Sequence, residues 1–153
     1  MKFQVALLAA VAAIATAAPA AANEGRIEAR AGMSFGSNQS EEFIGGVAAG
    51  YDFDLDEGIF FGLEASADKL FVDDSGVVLG ATARLGIRSG DNRYFVNGGY
   101  TDLTCDFCGD AAHAGAGAEI GLTDTVYGKI EYRHFFLDGT DSNVVAVGAG
   151  VRF

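Results

Sequence analysis

The sequence predicts an all-β chain: an eight-stranded, antiparallel, up-and-down transmembrane β-barrel that follows an N-terminal signal peptide. Three observations support this fold class. Eight segments alternate apolar residues with polar or small ones, at the two-residue period of a β-strand. Beyond the first two dozen residues, no stretch reaches the roughly 18 consecutive apolar residues that a membrane helix requires. The 22 glycines are accompanied by 12 phenylalanines and 5 tyrosines, a composition that argues against disorder.

The first segment has the layout of a secretory signal peptide. Lys2 supplies a positive charge, residues 5–18 are uncharged and apolar, and residues 20–22 are three alanines that suit a cleavage site. A membrane-anchor helix is the alternative, but the segment is rich in alanine and is followed by acidic Glu24 instead of a basic residue. The expected division of the chain is a signal peptide over residues 1–22 and a barrel domain over residues 23–153.

Eight strands are predicted from the alternation. They span residues 25–35, 42–54, 58–68, 76–88, 93–102, 112–122, 125–137 and 143–153. Each has one apolar face and one charged or polar face, as expected for a barrel with lipid outside and a polar lumen inside. A soluble sandwich would show the same alternation with its charged face in water. Eight strands of nearly uniform length with short connections favour the barrel.

The connections fall into two classes. Tight turns of the Gly, Asp and Asn type are predicted at 56–58, 90–92 and 123–124. The alternate connections are longer, at 36–41, 69–75, 103–111 and 138–142. An even strand count places both termini on the side of the tight turns, which we expect to face the periplasm. The longer connections are still short for elaborate recognition of a receptor.

The inward-facing charges nearly balance under this strand assignment. The basic members are Arg26, Arg30, Arg84, Arg88, Arg93, Lys129, Arg133 and Arg152, and the acidic members are Glu28, Asp52, Asp54, Glu64, Asp68, Glu119 and Glu131. An unpaired charge in a confined lumen costs several kcal/mol, so these groups must pair or draw in water. We predict a luminal ion-pair network of Glu28, Arg30, Glu64, Arg84, Glu119, Lys129, Glu131 and Arg133. An eight-stranded barrel is just wide enough for side chains to fill, so the network is expected to plug it.

Two segments resemble a known family. Residues 127–133 (YGKIEYR) are similar to a penultimate strand, and residues 148–153 (GAGVRF) to a closing strand, of small outer-membrane β-barrel proteins of the OmpA/OmpX-like, opacity-porin group. The resemblance covers essentially all of the chain after the signal peptide. It is specific for fold and weak for activity. Nothing follows Phe153 here, so we do not expect the peptidoglycan-binding domain of full OmpA-type proteins.

The resemblance implies a location and partners. It implies an integral protein of the bacterial outer membrane with both termini periplasmic, in contact with membrane lipid and lipopolysaccharide. The last strand, with Val147, Val151 and Phe153, would be the signal that the barrel-assembly machinery reads. We expect a monomer, and the formal charge of −11 argues against binding nucleic acid.

Cys105 and Cys108 lie in the third of the longer connections. Because an exported protein meets oxidising conditions, we expect them to form a structural disulfide. A redox site would require a helix start that this connection lacks. A zinc site would have His113 as a third ligand and no evident fourth. No metal and no cofactor are therefore expected.

Catalysis is not expected from the sequence. His134 falls on the lipid-facing side and His113 on the luminal side, while Ser40 and Ser142 fall in separate loops. Residues 32–36 (GMSFG) have the G-x-S-x-G spacing, but they fall at the end of the first predicted strand and not at a strand-to-helix turn, so no nucleophile elbow is expected. We interpret His134, with the aromatic residues around it, as part of the girdle at the outer interface.

Three functional hypotheses remain. The first is a structural surface protein that contributes to envelope integrity or surface contact. The second is a narrow channel for small ions or solutes, which conductance would separate from the first. The third is a soluble lipocalin-like barrel, which would turn its apolar face inward. The acidic loops could also bridge divalent cations to lipopolysaccharide, although no EF-hand-like spacing supports this.

Overall fold

The computed structural model describes residues 23–36, 39–71, 76–103, 110–137 and 141–153, and in these ranges the chain forms eight strands. They are β1 (Asn23–Gly36), β2 (Gln39–Asp56), β3 (Ile59–Leu70), β4 (Val77–Ser89), β5 (Asn92–Leu103), β6 (Ala111–Gly121), β7 (Val126–Phe136) and β8 (Ser142–Arg152). Within the described ranges, no helix is long and apolar enough to cross a membrane. The predicted signal peptide and Cys105 and Cys108 lie outside the described residues.

The strands close into an antiparallel barrel in sequence order. Each strand pairs with the next, and β1 also pairs with β8 to complete the cylinder. At this seam the backbone amide of Gly25 donates to the carbonyl of Phe153, and the amide of Phe153 donates to the carbonyl of Gly25, both at 2.9 Å. Closure leaves none of the eight described strands at an open sheet edge, as a strand-built protein in lipid requires. The predicted up-and-down barrel is confirmed.

The observed strand bounds differ from the predicted ones by a few residues. The largest difference concerns the first connection, predicted over 36–41. Gly36 pairs with Gln39, after a register shift between Ser34 and Gly36, so β1 and β2 run further than predicted and only 37–38 join them. Polar residues at the end of a strand can continue its ladder, and the alternation of apolar residues cannot reveal this.

The tight turns lie at the end of the barrel that holds the chain termini. Gly58 and Gly90 have φ angles of 86° and 61°, in the left-handed region that favours glycine, at the predicted β2–β3 and β4–β5 turns. Between β6 and β7, the hydroxyl of Thr123 accepts hydrogen bonds from the amides of Thr125 and Val126, at 3.3 and 2.9 Å. We call this the turn end, and the opposite end the loop end.

The two faces of the wall have opposite chemistry. Large apolar side chains on the outer face are exposed, for example Val47 at 57% and Val147 at 58%, whereas charged side chains on the inner face are buried. This arrangement inverts that of a soluble protein, in which exposed apolar patches are small. It rules out the lipocalin-like alternative, in which the apolar side chains would fill the lumen.

Candidate functional site: the charged lumen

The predicted network residues all lie in the lumen. Because side chains alternate across a strand, each strand directs every second residue inward. The network members come from β1, β3, β4, β6 and β7, and their side chains are at most 8% exposed. They are Glu28, Arg30, Glu64, Arg84, Glu119, Lys129, Glu131 and Arg133. Each takes part in at least one direct ion pair, and Asp52 and Arg26, which were not among the predicted members, connect the Arg84–Glu119 pair with the other six.

Towards the turn end, the network is organised around Asp52. Arg84 binds both oxygens of this carboxylate, with Nε 3.0 Å from Oδ1 and Nη2 2.5 Å from Oδ2. Arg93 donates to Oδ2 at 2.9 Å, and Arg26 Nε lies 3.7 Å from Oδ1. The other side of the Arg84 guanidinium binds Glu119. One carboxylate therefore pairs with guanidinium groups from three other strands.

At mid-height, an ammonium group lies among three carboxylates. Lys129 Nζ binds Glu28 Oε1, lies 2.9 Å from Glu131 Oε2, and lies 3.8 Å from Glu64 Oε2. We call these three acids the carboxylate cage. One oxygen from each lies within 4.8 Å of the others, a spacing that could hold a metal ion. In this protein the ammonium group of Lys129 supplies the positive charge among these three carboxylates.

Glu64 links the cage to the groups above and below it. Its Oε2 accepts a hydrogen bond from Arg26 at 2.8 Å, and its Oε1 accepts from Arg133 at 2.7 Å and Arg30 at 3.2 Å. Arg30 in turn binds Asp68 through two hydrogen bonds of 2.8 and 2.5 Å. The ion pairs are therefore continuous from the Asp52 level towards the loop end.

Aromatic side chains complete the lumen near the turn end, and the sequence analysis missed them. Phe60 and Tyr127 are fully buried, and Phe95 is 5% exposed. The Arg84 guanidinium lies 5.1 Å from the ring centre of Phe60 and 4.9 Å from that of Phe95, and Arg152 lies 4.6 Å from that of Tyr127. These are cation–π contacts. Their inward direction was available from the alternation, since Tyr127 shares the parity of Lys129.

His113 lies in the lumen on the loop-end side of the network. Its Nε2 is 3.0 Å from the hydroxyl of Thr82, and its Nδ1 is 3.1 Å from that of Thr101. Both ring nitrogens are therefore engaged by neutral partners, one from β4 and one from the adjacent strand β5. The zinc alternative required His113 to join Cys105 and Cys108, and the two cysteines are outside the described residues.

The histidine and serine weighed for catalysis lie on opposite sides of the wall. His134 is on the outer face, where Nδ1 is 2.9 Å from Asn143 Oδ1 and the ring lies 4.7 Å from Phe136. Ser142 was predicted to lie in a loop, but it begins β8 and points inward, 3.1 Å from the hydroxyl of Ser34. The barrel wall separates His134 from Ser142.

The outer face carries an apolar belt around the barrel. Among its members are the three residues predicted as an assembly signal: Val147, Val151 and Phe153, exposed by 58, 46 and 63%. Other large side chains of the belt come from the other strands, including Phe43, Leu85, Val96, Ile120 and Ile130. A closed barrel with such a belt outside and paired charges inside is a membrane-spanning β-barrel.

The chain belongs to the outer membrane protein beta-barrel domain family, whose model matches residues 6–153. It is therefore an integral outer-membrane barrel, and its predicted likeness to the OmpA/OmpX-like group is confirmed. No curated protein matches the chain.

Solved structures share the fold at low sequence identity. Ail, the attachment invasion locus protein of Yersinia pestis, has a TM-score of 0.62 and 13% identity, covering 86% of this chain and 99% of that one. The N-terminal barrel of Pseudomonas aeruginosa OprF has a TM-score of 0.58 and 17% identity, covering 84 and 97%. The outer membrane enzyme PagL has a TM-score of 0.60 and 10% identity, covering 82 and 98%. The neighbours include an enzyme, so the fold alone does not decide function.

Proposed function

We propose that this protein is a structural barrel of the outer membrane whose lumen is plugged by ion pairs, and that it contributes to envelope integrity or surface contact. The observation that carries the proposal is the continuity of the network. Paired charges extend from Asp52 through the carboxylate cage to Arg30 and Asp68, with side chains from facing strands meeting inside the lumen.

The plug leaves little room for a permeating ion. Beside Arg30, Asp68 and Glu131, the ion pairs border a cavity of about 30 Å³. This is roughly the share of one water molecule in the liquid. A hydrated ion would have to separate buried ion pairs to pass, and breaking one such pair costs about 3–5 kcal/mol. We therefore expect the lumen to be closed to ions at rest.

Conductance in planar lipid bilayers tests this proposal against the alternative, a narrow porin-like channel. The full chain is reconstituted, and its folded state is checked by faster migration of unboiled samples on SDS gels. We expect no current steps above those of the bare bilayer, while a general porin in the same chamber gives steps. Reproducible steps from the folded protein would refute the plug and favour the channel.

We propose further that the barrel is not an enzyme. PagL is an outer membrane enzyme, but it is only 10% identical to this chain. Similarity at this level indicates a shared fold and gives no argument for a shared activity. Here His134 binds Asn143, and Ser142 is on the luminal side. Incubation with lipopolysaccharide and phospholipid, followed by mass spectrometry, should detect no released acyl chain. Time-dependent release that is lost in His134→Ala would overturn this.

Orientation and assembly are also part of the proposal. The turn end, which holds both termini, would face the periplasm, and the apolar belt would contact lipid with the barrel as a monomer. Val147 and Val151 of β8, together with Phe153 directly after it, would be read by the assembly machinery. An epitope tag inserted directly after the predicted signal peptide, between residues 22 and 23, should resist protease in intact cells and be cleaved after outer-membrane permeabilisation. Cleavage in intact cells would show that the turn end faces outward, opposite to the proposed orientation.

Surface contact, if mediated by the loop end, should favour cationic partners. Ail has also been solved in complex with the heparin analogue sucrose octasulfate, a polyanion. The described loop-end residues of this chain are mainly acidic: Glu41, Glu42, Asp102, Asp110 and Asp141, with Lys69 as a basic neighbour. We expect no binding of sucrose octasulfate in calorimetry at physiological salt, and saturable binding would contradict this charge argument.

A further inference from the structure

On the loop-end side of the ion pairs, the lining of the lumen changes from charged to mainly apolar. At the loop end it holds a cavity of about 370 Å³, which we call the loop-end chamber. Its wall is mainly apolar, built from inward-facing residues near the strand ends: Ile44, Leu70, Val78, Phe135, Leu137 and Val144. Small-molecule sites are commonly concave, mostly apolar and about 300–1,000 Å³ in volume. The chamber matches this description in both size and lining.

Membrane insertion does not account for this apolar lining. Lipid contacts the outer face, where the neighbouring positions Phe43, Val145 and Val147 already supply apolar side chains. Ile44 and Val144 alternate with these residues and face the lumen, where the same strands carry charged or polar groups further down. An apolar wall around a space of this size stabilises a bound apolar group by removing its surface from water.

The floor of the chamber offers no uncompensated positive charge. The 30 Å³ cavity beneath it shares Ile44, Phe135 and Val144 with the chamber and ends at Arg30 and Arg133. Arg30 binds Asp68, and Arg133 binds Glu131 and Glu64. An anionic head group would have to displace these carboxylates, so a fatty acid is a poor match for the chamber.

The polar groups in the wall point to a cation instead. Of the described residues that line the chamber, Glu42 is the one that ionises, and the hydroxyls of Ser34, Thr101 and Ser142 provide neutral hydrogen bonds. The described residues around the loop end add further negative charge, with Glu41 beside Glu42 in β2. A cation would thus be attracted to the loop end and paired once it entered the chamber.

We infer that the loop-end chamber binds a small amphipathic cation, a molecule with one ammonium group and an apolar body. The body packs against Ile44, Phe135 and Val144, and the ammonium pairs with Glu42. The chamber lies above the ion-pair plug, so this binding does not require that the lumen conducts or that it is closed. Amine binding and conductance are separate measurements, and each inference can fail without the other.

Methyl NMR in lipid nanodiscs provides the test. The full chain, labelled at Ile, Leu and Val methyls, is titrated with octylammonium, octanol and octanoate, which share one chain length and differ in charge. We expect saturable shifts at Ile44, Val78 and Val144, with octylammonium bound about tenfold more tightly than octanol, as a charge-assisted hydrogen bond allows. Octanoate should bind weakest of the three.

The lipid-facing methyls of Val145 and Val147 report partitioning into the bilayer and serve as the internal control. Glu42→Gln should abolish the preference for octylammonium over octanol while leaving octanol binding unchanged. Ala111→Leu, which places bulk in the chamber, should weaken both ligands, with folding checked by gel mobility. Shifts confined to Val145 and Val147, tighter binding of octanoate, or a preference that survives in Glu42→Gln would each overturn the inference.

Discussion

Inside the lumen, the guanidinium of Arg84 donates two hydrogen bonds, 3.0 and 2.5 Å long, to the two carboxylate oxygens of Asp52. The two residues lie on β4 and β2, which are not adjacent strands, so the pair reaches over β3. Gly62, which lies on β3 between them, has no side chain to intervene: a Cβ there would meet Asp52 Oδ1 and lie 2.9 Å from Arg84 Cγ. The glycine is what allows the pair to form.

Removal of the Asp52 charge should be costly. In Asp52→Asn, the guanidinium groups of Arg84 and Arg93 lose a buried counter-charge, and we expect the free energy of unfolding to fall by about 3–5 kcal/mol. Because the chain has no tryptophan, unfolding by urea from lipid vesicles is best followed by circular dichroism and by the gel shift of unboiled samples.

Asp54→Asn is the matched control. Asp54 is on the same strand and face, but its pair with Arg88 is partly open to solvent, with the side chains 27 and 23% exposed. Exposed pairs contribute roughly 0–1 kcal/mol, so this variant should remain close to wild type. If both variants lose the same free energy of unfolding, burial does not increase the contribution of the Asp52 ion pairs to stability.

We predict that the carboxylate cage binds a metal ion when the ammonium group of Lys129 is removed. In Lys129→Ala, Glu28, Glu64 and Glu131 lose the ammonium among them, and their mutual repulsion should destabilise the barrel. Oxygen ligands at this spacing suit a hard divalent cation. We expect millimolar Ca²⁺ to raise the urea midpoint of Lys129→Ala and to leave that of the wild-type protein nearly unchanged.

The double variant Lys129→Ala/Glu131→Gln separates this effect from unspecific screening. It keeps the space but removes one of the carboxylates, so the Ca²⁺ response should shrink. If Ca²⁺ raises the midpoints of wild type and Lys129→Ala alike, the cation acts at the acidic surface and the cage holds none.

The alternation of side chains predicted which residues are luminal but not which of them pair. Arg84 and Asp52 follow from strand parity as inward-facing residues, since the side-chain period of a strand is two. Their pairing depends on the register of β2, β3 and β4 and on the barrel radius, which a single sequence does not reveal. The same holds for Lys129, whose cage joins β1, β3 and β7.

Aromatic and aliphatic residues inside the lumen were missed for another reason. Phe60, Phe95 and Tyr127 have inward parity, but the inner face was predicted from its charged and polar residues alone, so these rings were assigned to neither face. Ile44 and Val144 were left unassigned for the same reason, and the loop-end chamber was therefore not predicted. Where parity and hydrophobicity disagree in a barrel strand, the structure follows parity, because a one-residue slip would invert the whole strand.

Alanine substitution of two glycines, one facing the lumen and one on the outer face, tests how tightly the lumen is packed. Gly62→Ala places a methyl group against Asp52 and Arg84, so we expect a loss of about 1–3 kcal/mol from overpacking. At Gly128, on the outer face of β7, the nearest atoms to an added Cβ are 3.9 and 4.0 Å away. Gly128→Ala should therefore be neutral or slightly stabilising. A neutral Gly62→Ala would mean that the plug is loosely packed.

The apolar belt predicts a depth-dependent response to charge. Val96 lies near the middle of β5 on the outer face, 59% exposed, and Val96→Lys would place an ammonium group in the hydrocarbon core. We expect it to lower the free energy of unfolding from vesicles by about 2–4 kcal/mol, since lysine costs this much at the bilayer midplane. Leu122→Lys is the control, because this residue is 64% exposed in the turn between β6 and β7, where the cost is about 0–1 kcal/mol. Similar small losses from both variants would contradict a membrane-spanning belt, since a lysine exposed to water costs little at either position.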